Sequence, residues 1–371
     1  MDRPIRVGIT HGDINGIGYE IIVKAVGEEG ITELYTPVIF GVPDIFRKAA
    51  EMFGYSGLKF NVAKDLSAIK EGVVNIYPVV GETLEVKPGT INKESGEAAV
   101  ASLEAAVRAL KEEAVDVLVT APISKEAVQG ENFNFPGHTE FLAERLGEGS
   151  EAMMILCNDT LRVALLTKHL PIAKIPENIS EDKIISAVET FSHVLKKDFG
   201  IVKPSIAVLS LNPHAGDGGL LGNEEEEILK PALKKLQQNG YHAFGPFAAD
   251  GFFGHGAYKN YDGILAMYHD QGLAPFKTIA TSGGVNFTAA LPFVRTSPDH
   301  GTAFDIAWKG EADATSMKDA IYMAIDIHRR RKTFEEASQN PLKKYVHERP
   351  ERHDRGDRFP NKTELAEDSN D

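Results

Sequence analysis

A single cysteine, Cys157, stands in a chain of 371 residues, so no internal disulfide can form. It lies in the apolar run 153–157 and reads as a buried small hydrophobe. A chain without disulfides suits a reducing compartment. No apolar run approaches the roughly 20 residues that a helix needs to cross a bilayer. The opening residues, MDRPIRVGITHGD, hold no apolar stretch of signal-peptide length. The expected location is therefore cytoplasmic. Positive charge is in deficit, with 40 Lys and Arg against 54 Asp and Glu and a net charge of −14. That balance disfavours nucleic acid and anionic membranes as partners, but not a small anion held by a few local cations. There is no G-x-S-x-G, no P-loop and no paired-cysteine motif, so serine nucleophiles and Walker-type hydrolysis lose support. Gly16 and Gly18 follow the first strand, but Ile21 stands where the third glycine of G-x-G-x-x-G belongs, and no Rossmann fingerprint is present. These glycines fit a tight turn as well as a phosphate cradle.

Apolar residues make up 42% of the chain, enough for a packed globular protein. Short apolar runs at 5–10, 37–41, 73–78, 116–120, 152–157, 162–167, 204–211 and 263–268 predict buried strands. Helical patterns at 44–53, 95–114, 140–146, 180–195 and 316–330 alternate with them. The acidic run 223–227 opens a further helix, its charge accounted for by the helix field and by solvation. Residues 245–251 read as a loop at a cleft. The alternation predicts an α/β fold with a mostly parallel sheet. The length suggests two domains.

Three of these strands end in histidine. The run 163–167 leads into His169, 206–210 into His214, and 263–268 into His269. The carboxyl ends of strands are where ligands sit in open α/β sheets. Any one of these residues alone is an ordinary loop histidine. Three in the same position suit zinc or another first-row divalent ion with one coordination place left open. Asp217 and Asp270 are placed to orient the rings, and residues 270–276 read as the loop that joins His269 to Lys277. Lys277, Arg295 and Asn286, with His138 and Thr139 of the FPGHT turn, can hold a phosphate and a carboxylate. Thr139 also fits a plain helix N-cap.

The segments GDINGIGYEI, TAPISKEA, FPGHTEFLAE, TKHLPI, LNPHAGDGG, MYHDQGLAPFKT and GVNFTAALPFVRTSPDHGTAFDIA together resemble the 4-hydroxythreonine-4-phosphate dehydrogenase family of pyridoxal 5′-phosphate biosynthesis. The resemblance runs to about residue 330. It implies a two-domain α/β/α architecture like that of isocitrate and isopropylmalate dehydrogenases rather than a Rossmann dehydrogenase. Residues 1–130 plus 290–335 would form one domain, 131–289 a second carrying the metal ligands and a dimer interface, and 336–371 a polar, mobile tail. Position by position, the resemblance implies that His169, His214 and His269 bind a divalent metal (zinc, cobalt or magnesium), in a site shared between the subunits of a homodimer. His138, Thr139, Lys277, Asn286 and Arg295 match substrate-binding positions. By looser analogy, His300, Gly301, Thr302, Ala303 and Asp305 would seat the adenine side of NAD or NADP. The implied reaction is oxidation of 4-phosphohydroxy-L-threonine to a β-keto acid that decarboxylates to 3-amino-2-oxopropyl phosphate. Lys277, Asp250 and a metal-bound water are candidates to take the hydroxyl proton. Two departures stand out: Ile14-Asn15 replaces the family's usual Pro-Ala, and Trp308 stands at a usual glycine, where it bears on the cofactor's seat. A paralogue acting on threonate or erythronate 4-phosphate, a metal-dependent phosphatase and a non-catalytic binding protein are the competing readings.

Overall fold

The computed structural model describes residues 3–340 apart from 81–83, 131–132, 148, 150 and 282. Its strands are β1 (Arg6–Thr10), β2 (Thr36–Gly41), β3 (Phe60–Val62), β4 (Val74–Pro78), β5 (Val117–Thr120) and β6 (Met153–Cys157). They continue as β7 (Arg162–Leu165), β8 (Ser205–Leu209), β9 (His242–Phe247), β10 (Gly263–Ala266), β11 (Val285–Ala289) and β12 (Val294–Pro298). All pair into one 12-stranded sheet in the order β3-β4-β2-β1-β5-β12-β11-β6-β7-β10-β8-β9. Strands β2, β5, β10 and β12 are buried along their whole length, as expected for strands covered on both faces. Residues 1–130 and 290–335 supply the run from β3 to β12, and 131–289 supply the run from β11 to β9. The two runs meet at the β11–β12 pair.

The fold is α/β with a mostly parallel sheet, as the pattern predicts: among the described residues eight strand pairs are parallel and three antiparallel. Strand β11 runs antiparallel to both β12 and β6, and β6 antiparallel to β7. Apolar runs specify burial and not direction, so these three antiparallel pairs are not marked in the sequence. Residues 245–251 are not a plain loop: β9 runs to Phe247 and a short helix spans Ala249–Gly254. The final helix, Thr315–Ser338, extends past the expected end and includes 336–338; residues 341–371 of the expected tail lie outside the described residues. Among the described residues no helix is long and apolar enough to cross a membrane. Cys157 is buried, and burial pushes its thiol up to about 12.

One close approach sets the site's edge. The helix Lys93–Lys111 is capped by Asn92, whose side chain accepts from the Ser95 amide at 2.8 Å. Its Gly96 lies against the short helix Lys125–Val128, so closely that a Cβ there would stand 1.8 Å from the Ala127 carbonyl oxygen. Alanine at 96 would gain helix propensity of about 1 kcal/mol yet must push the two helices apart. Gly96→Ala is therefore expected to lower stability by about 2 kcal/mol, net, in urea unfolding.

Candidate active site

A cavity of about 570 Å³ opens at the strand ends of β5, β6, β11 and β12. It is lined by His138, Thr139, His169, His269, Lys277, Asn286 and Arg295, gathered from distant parts of the chain. Strand register explains part of this. Arg295 on β12 sits opposite Thr288 on β11, and Asn286 sits opposite Leu156 on β6.

Arg295 is 2% exposed. Its guanidinium donates to Thr120 Oγ1 from Nε (3.2 Å) and Nη2 (2.5 Å) and to Thr288 Oγ1 from Nη1 (2.8 Å). No described carboxylate lies in ion-pair contact with it. Burial lowers its pKa to about 10, so it stays charged at neutral pH. A buried charge satisfied only by hydroxyls is costly unless a ligand supplies the counter-charge.

His138 and Thr139 fall in the first turn of the helix His138–Leu146, not before it. Gly137 is the N-cap, so Thr139 is free of that role and half-buried at the cavity wall. His138 Nε2 and Asn286 Oδ1 are enclosed and have no partner, which leaves both available to a ligand. Burial, followed by the charges of Arg295 and Lys125, holds His138 well below the usual imidazole range. Lys277 donates to the Asp299 carbonyl at 3.1 Å and remains exposed.

His269 is the first residue of the helix His269–Ile279, so residues 270–276 are helical and not a loop. Gly272 makes this possible: a Cβ there would meet Val163 at 2.8 Å and Ala266 and Leu165 at 3.0 Å. The helix presses against the sheet at that point, and packing overrides the breaker residues Gly272 and Pro275. A helix fixes the eight-residue separation of His269 and Lys277 at about 12 Å along its axis. Asp270 Oδ1 lies 2.7 Å from His269 Nδ1, which fixes the ring and leaves Nε2 for a ligand. The His169 ring lies 5.9 Å from that of His269, centre to centre. Burial, then the charge of Lys125, lowers the His169 pKa and favours the neutral imidazole that a metal requires.

His214 stands elsewhere. With Asp250, Tyr268 and Gln271 it lines a separate cavity of about 330 Å³. Among the described residues no three His, Cys, Asp or Glu converge as a metal site within one chain. Residues His214, Ala215 and Asp217 hold left-handed backbone angles (φ 52°, 52° and 44°), a strained turn of the kind found at ligand sites. Glu225 supports it. This acid is fully buried rather than solvated, and accepts from the amides of Leu211 and Asn212 at 2.8 Å each. Gln271 ties the two strand ends together by donating to Ser210 O at 2.6 Å and accepting from Met267 N at 2.8 Å.

Of the residues expected to seat the cofactor, His300 and Gly301 reach the main cavity, while Thr302, Ala303 and Asp305 lie beyond it. His300 Nε2 is enclosed without a partner, and a Cβ at Gly301 would meet nothing within 4 Å. The two departures from the family pattern touch each other. Trp308, at φ 61°, donates from Nε1 to the Ile14 carbonyl at 2.9 Å. Asn15 accepts from Lys87 N at 2.8 Å and donates to Thr90 O at 3.1 Å. Glu20 completes the strap by accepting from Ala312 N at 2.8 Å. The segment after β12 is thus pinned to the helix Gly18–Val26.

Residues 33–324 match the model of the family "Pyridoxal phosphate biosynthetic protein PdxA". The chain belongs to that family. A Bacteroides thetaiotaomicron protein named 4-hydroxythreonine-4-phosphate dehydrogenase is 48% identical over 351 residues, covering 94% of this chain and 95% of its own. A Cutibacterium acnes relative, provisionally named D-threonate 4-phosphate dehydrogenase, is 37% identical over 89% of this chain and 95% of its own. The crystal structure of the Klebsiella pneumoniae 4-hydroxythreonine-4-phosphate dehydrogenase superposes with a TM-score of 0.74 at 31% identity, covering 88% of this chain and 98% of that one. The family's relatives are dehydrogenases by name, which supports an oxidoreductase.

Sequence reading alone passed over Lys125 and Glu140, which also line the cavity. The signal was present: Lys125 follows the end of β5 within TAPISKEA, and Glu140 follows directly on His138 and Thr139.

Proposed function

We propose that this protein is an NAD(P)-dependent dehydrogenase that oxidises 4-phosphohydroxy-L-threonine at its 3-hydroxyl. The β-keto acid so formed loses carbon dioxide to leave 3-amino-2-oxopropyl phosphate. The carrying observation is Arg295, a buried guanidinium lacking an acidic partner in a cavity that also holds Lys277 and the unpartnered His138 and Asn286. That arrangement suits a substrate bearing a phosphate and a carboxylate. Arg295, Lys277, His138, Thr139 and Asn286 would bind and orient it. His169 and His269 would hold a divalent ion, zinc, cobalt or magnesium, together with a third histidine. Such an ion would supply polarisation of the substrate hydroxyl, and a nicotinamide cofactor would supply the hydride acceptor. The enclosed His300 Nε2 and the open Gly301 suit the edge of a cofactor seat, with Thr302, Ala303 and Asp305 behind them. Lys277 lines the cavity and would take the hydroxyl proton; Asp250 could do so only from beside His214.

The test is direct. Purified protein with the substrate, NAD or NADP and each metal in turn should generate reduced cofactor absorbing in the near ultraviolet. Absence of any such signal across zinc, cobalt, magnesium and manganese would sink the reading. The name of the Cutibacterium acnes relative favours a second substrate, a four-carbon sugar-acid phosphate, to be run beside the first.

The separation of His214 from His169 and His269 supports a site completed by a second copy of the chain, with His214 and His269 of one site coming from different subunits. Apolar side chains beside these histidines are exposed as an interface would require, among them Leu170, Ile172, Leu220 and Leu221. The strand order, with one run from 1–130 and 290–335 and the other from 131–289, supports two domains meeting at the β11–β12 pair, the second carrying these histidines and the interface. His214→Ala and His269→Ala should each be inactive alone. Unfolded together and refolded as mixed dimers, they should recover about a quarter of wild-type activity, because each hybrid rebuilds one intact site. No recovery from properly dimerised mixtures would rule out the shared site.

A further inference from the structure

Three carboxylates line the main cavity: Glu140, Asp270 and Asp299. Two are engaged. Asp270 holds His269 Nδ1 at 2.7 Å, and Asp299 accepts from Ser316 Oγ at 3.2 Å. Glu140 makes no hydrogen bond or ion pair with any described residue. It is half-buried in the first turn of the helix His138–Leu146. An acid is favoured in a first turn by the helix field, and a third-position glutamate often folds back onto the cap amide. Glu140 Oε2 turns back to within 3.6 Å of where a Cβ on Gly137 would stand, yet it makes no hydrogen bond there. Its charge is felt by Lys168 and by the cavity-lining His169 and Arg295.

A free carboxylate in this position is a contradiction if the ligand is only an anion. It would repel the phosphate and carboxylate that Arg295, Lys277 and Lys125 attract. The contradiction disappears if the ligand also carries a positive group, and an amino acid phosphate does. We propose that Glu140 receives the substrate's 2-ammonium group and so selects an amino acid phosphate over the matching compound with a 2-hydroxyl. This rests on the dehydrogenase reading above and decides between its two substrates. A charge-assisted bond of this kind is replaced, in the hydroxy acid, by a hydroxyl facing the same carboxylate, a weaker contact.

The test compares Glu140→Gln with the wild type on 4-phosphohydroxy-L-threonine and on the matching 2-hydroxy acid phosphate, with cofactor and metal as above. Where turnover of the hydroxy acid is too slow to follow, its inhibition constant serves. The expected result is a loss of about tenfold or more in kcat/KM for the amino acid. The value for the hydroxy acid should be unchanged or improved. The ratio of the two within one preparation is independent of how much of the variant is folded. Equal losses on both compounds would overturn the proposal, since a proton acceptor or a structural glutamate would behave so. An unchanged ratio, or a wild type that oxidises only the hydroxy acid, would overturn it as well. No turnover of either compound by the wild type would instead sink the dehydrogenase reading itself, and this proposal with it.

Discussion

Replacing Arg295 with methionine is expected to lower kcat/KM by about 10²- to 10³-fold, the cost of losing one partner of a buried charge pair. The guanidinium is bonded to Thr120 and Thr288, and Arg295 lines the cavity. Its cost of burial is already met in the free protein, so its contribution should surface when an anion arrives. Stability should therefore respond differently from activity. Methionine removes a buried charge but strands two hydroxyls, and these effects oppose one another at about 1–2 kcal/mol each. A small net shift in melting temperature beside a large loss of activity is the expected pair of results. Inorganic phosphate offers a second measurement. It should raise the wild-type melting temperature by mass action and leave that of the variant unmoved. A variant that loses activity only because it unfolds, or that is still stabilised by phosphate, would show that Arg295 is structural.

Acid should destabilise the protein through His11. This residue is 0% exposed, its ring stacks on Tyr19 at 5.4 Å between centres, and neither ring nitrogen has a hydrogen-bond partner. Burial lowers its pKa to about 4. In the unfolded chain the imidazole titrates near 6.5. Between these values the unfolded chain holds a proton that the folded one lacks. The contribution to stability is thus complete above pH 6.5 and is lost as pH falls toward 4. Linkage puts the loss from this one group between pH 7 and pH 5 at about 2 kcal/mol. Urea unfolding at the two pH values, for the wild type and for His11→Phe, measures it. The variant should show a pH difference smaller by that amount. Because each protein is compared with itself, a constant offset from repacking phenylalanine against Tyr19 cancels. An identical pH difference in both would mean that His11 takes up its proton in the folded state as readily as in water. His138 is shifted in the same direction and adds to the effect that survives in the variant.

Much of the site was legible in the chain because strand ends carry it. The apolar runs that predict β7, β8 and β10 also locate His169, His214 and His269, since a buried strand must terminate in polar residues at the layer where ligands bind. Charge balance allowed an anion site, and the two cations expected to serve one, Lys277 and Arg295, line the same cavity. Where the reading failed, local propensity was outvoted by packing. Residues 270–276 contain Gly272 and Pro275 and look like a loop, yet they form a helix because only glycine allows so close an approach to β7 and β10. Glu225 looked solvated in a run of acids, yet it is buried where two backbone amides need an acceptor.

By itself, then, the sequence determined the α/β class, the positions of the buried strands, the absence of disulfides and the family resemblance, all of which depend on composition, periodicity and short runs of neighbours. Only the tertiary structure decided which strands run antiparallel, which side chains share a cavity and which stand apart. Arg295 lies 175 residues from the Thr120 that holds it, and Trp308 lies 294 residues from its Ile14 acceptor. No local pattern encodes such contacts. They follow from the sheet order that sets β12 between β5 and β11. The same is true of Glu140, an ordinary helix-start acid in the sequence. Its significance comes from being the unengaged carboxylate in a cavity otherwise arranged for anions.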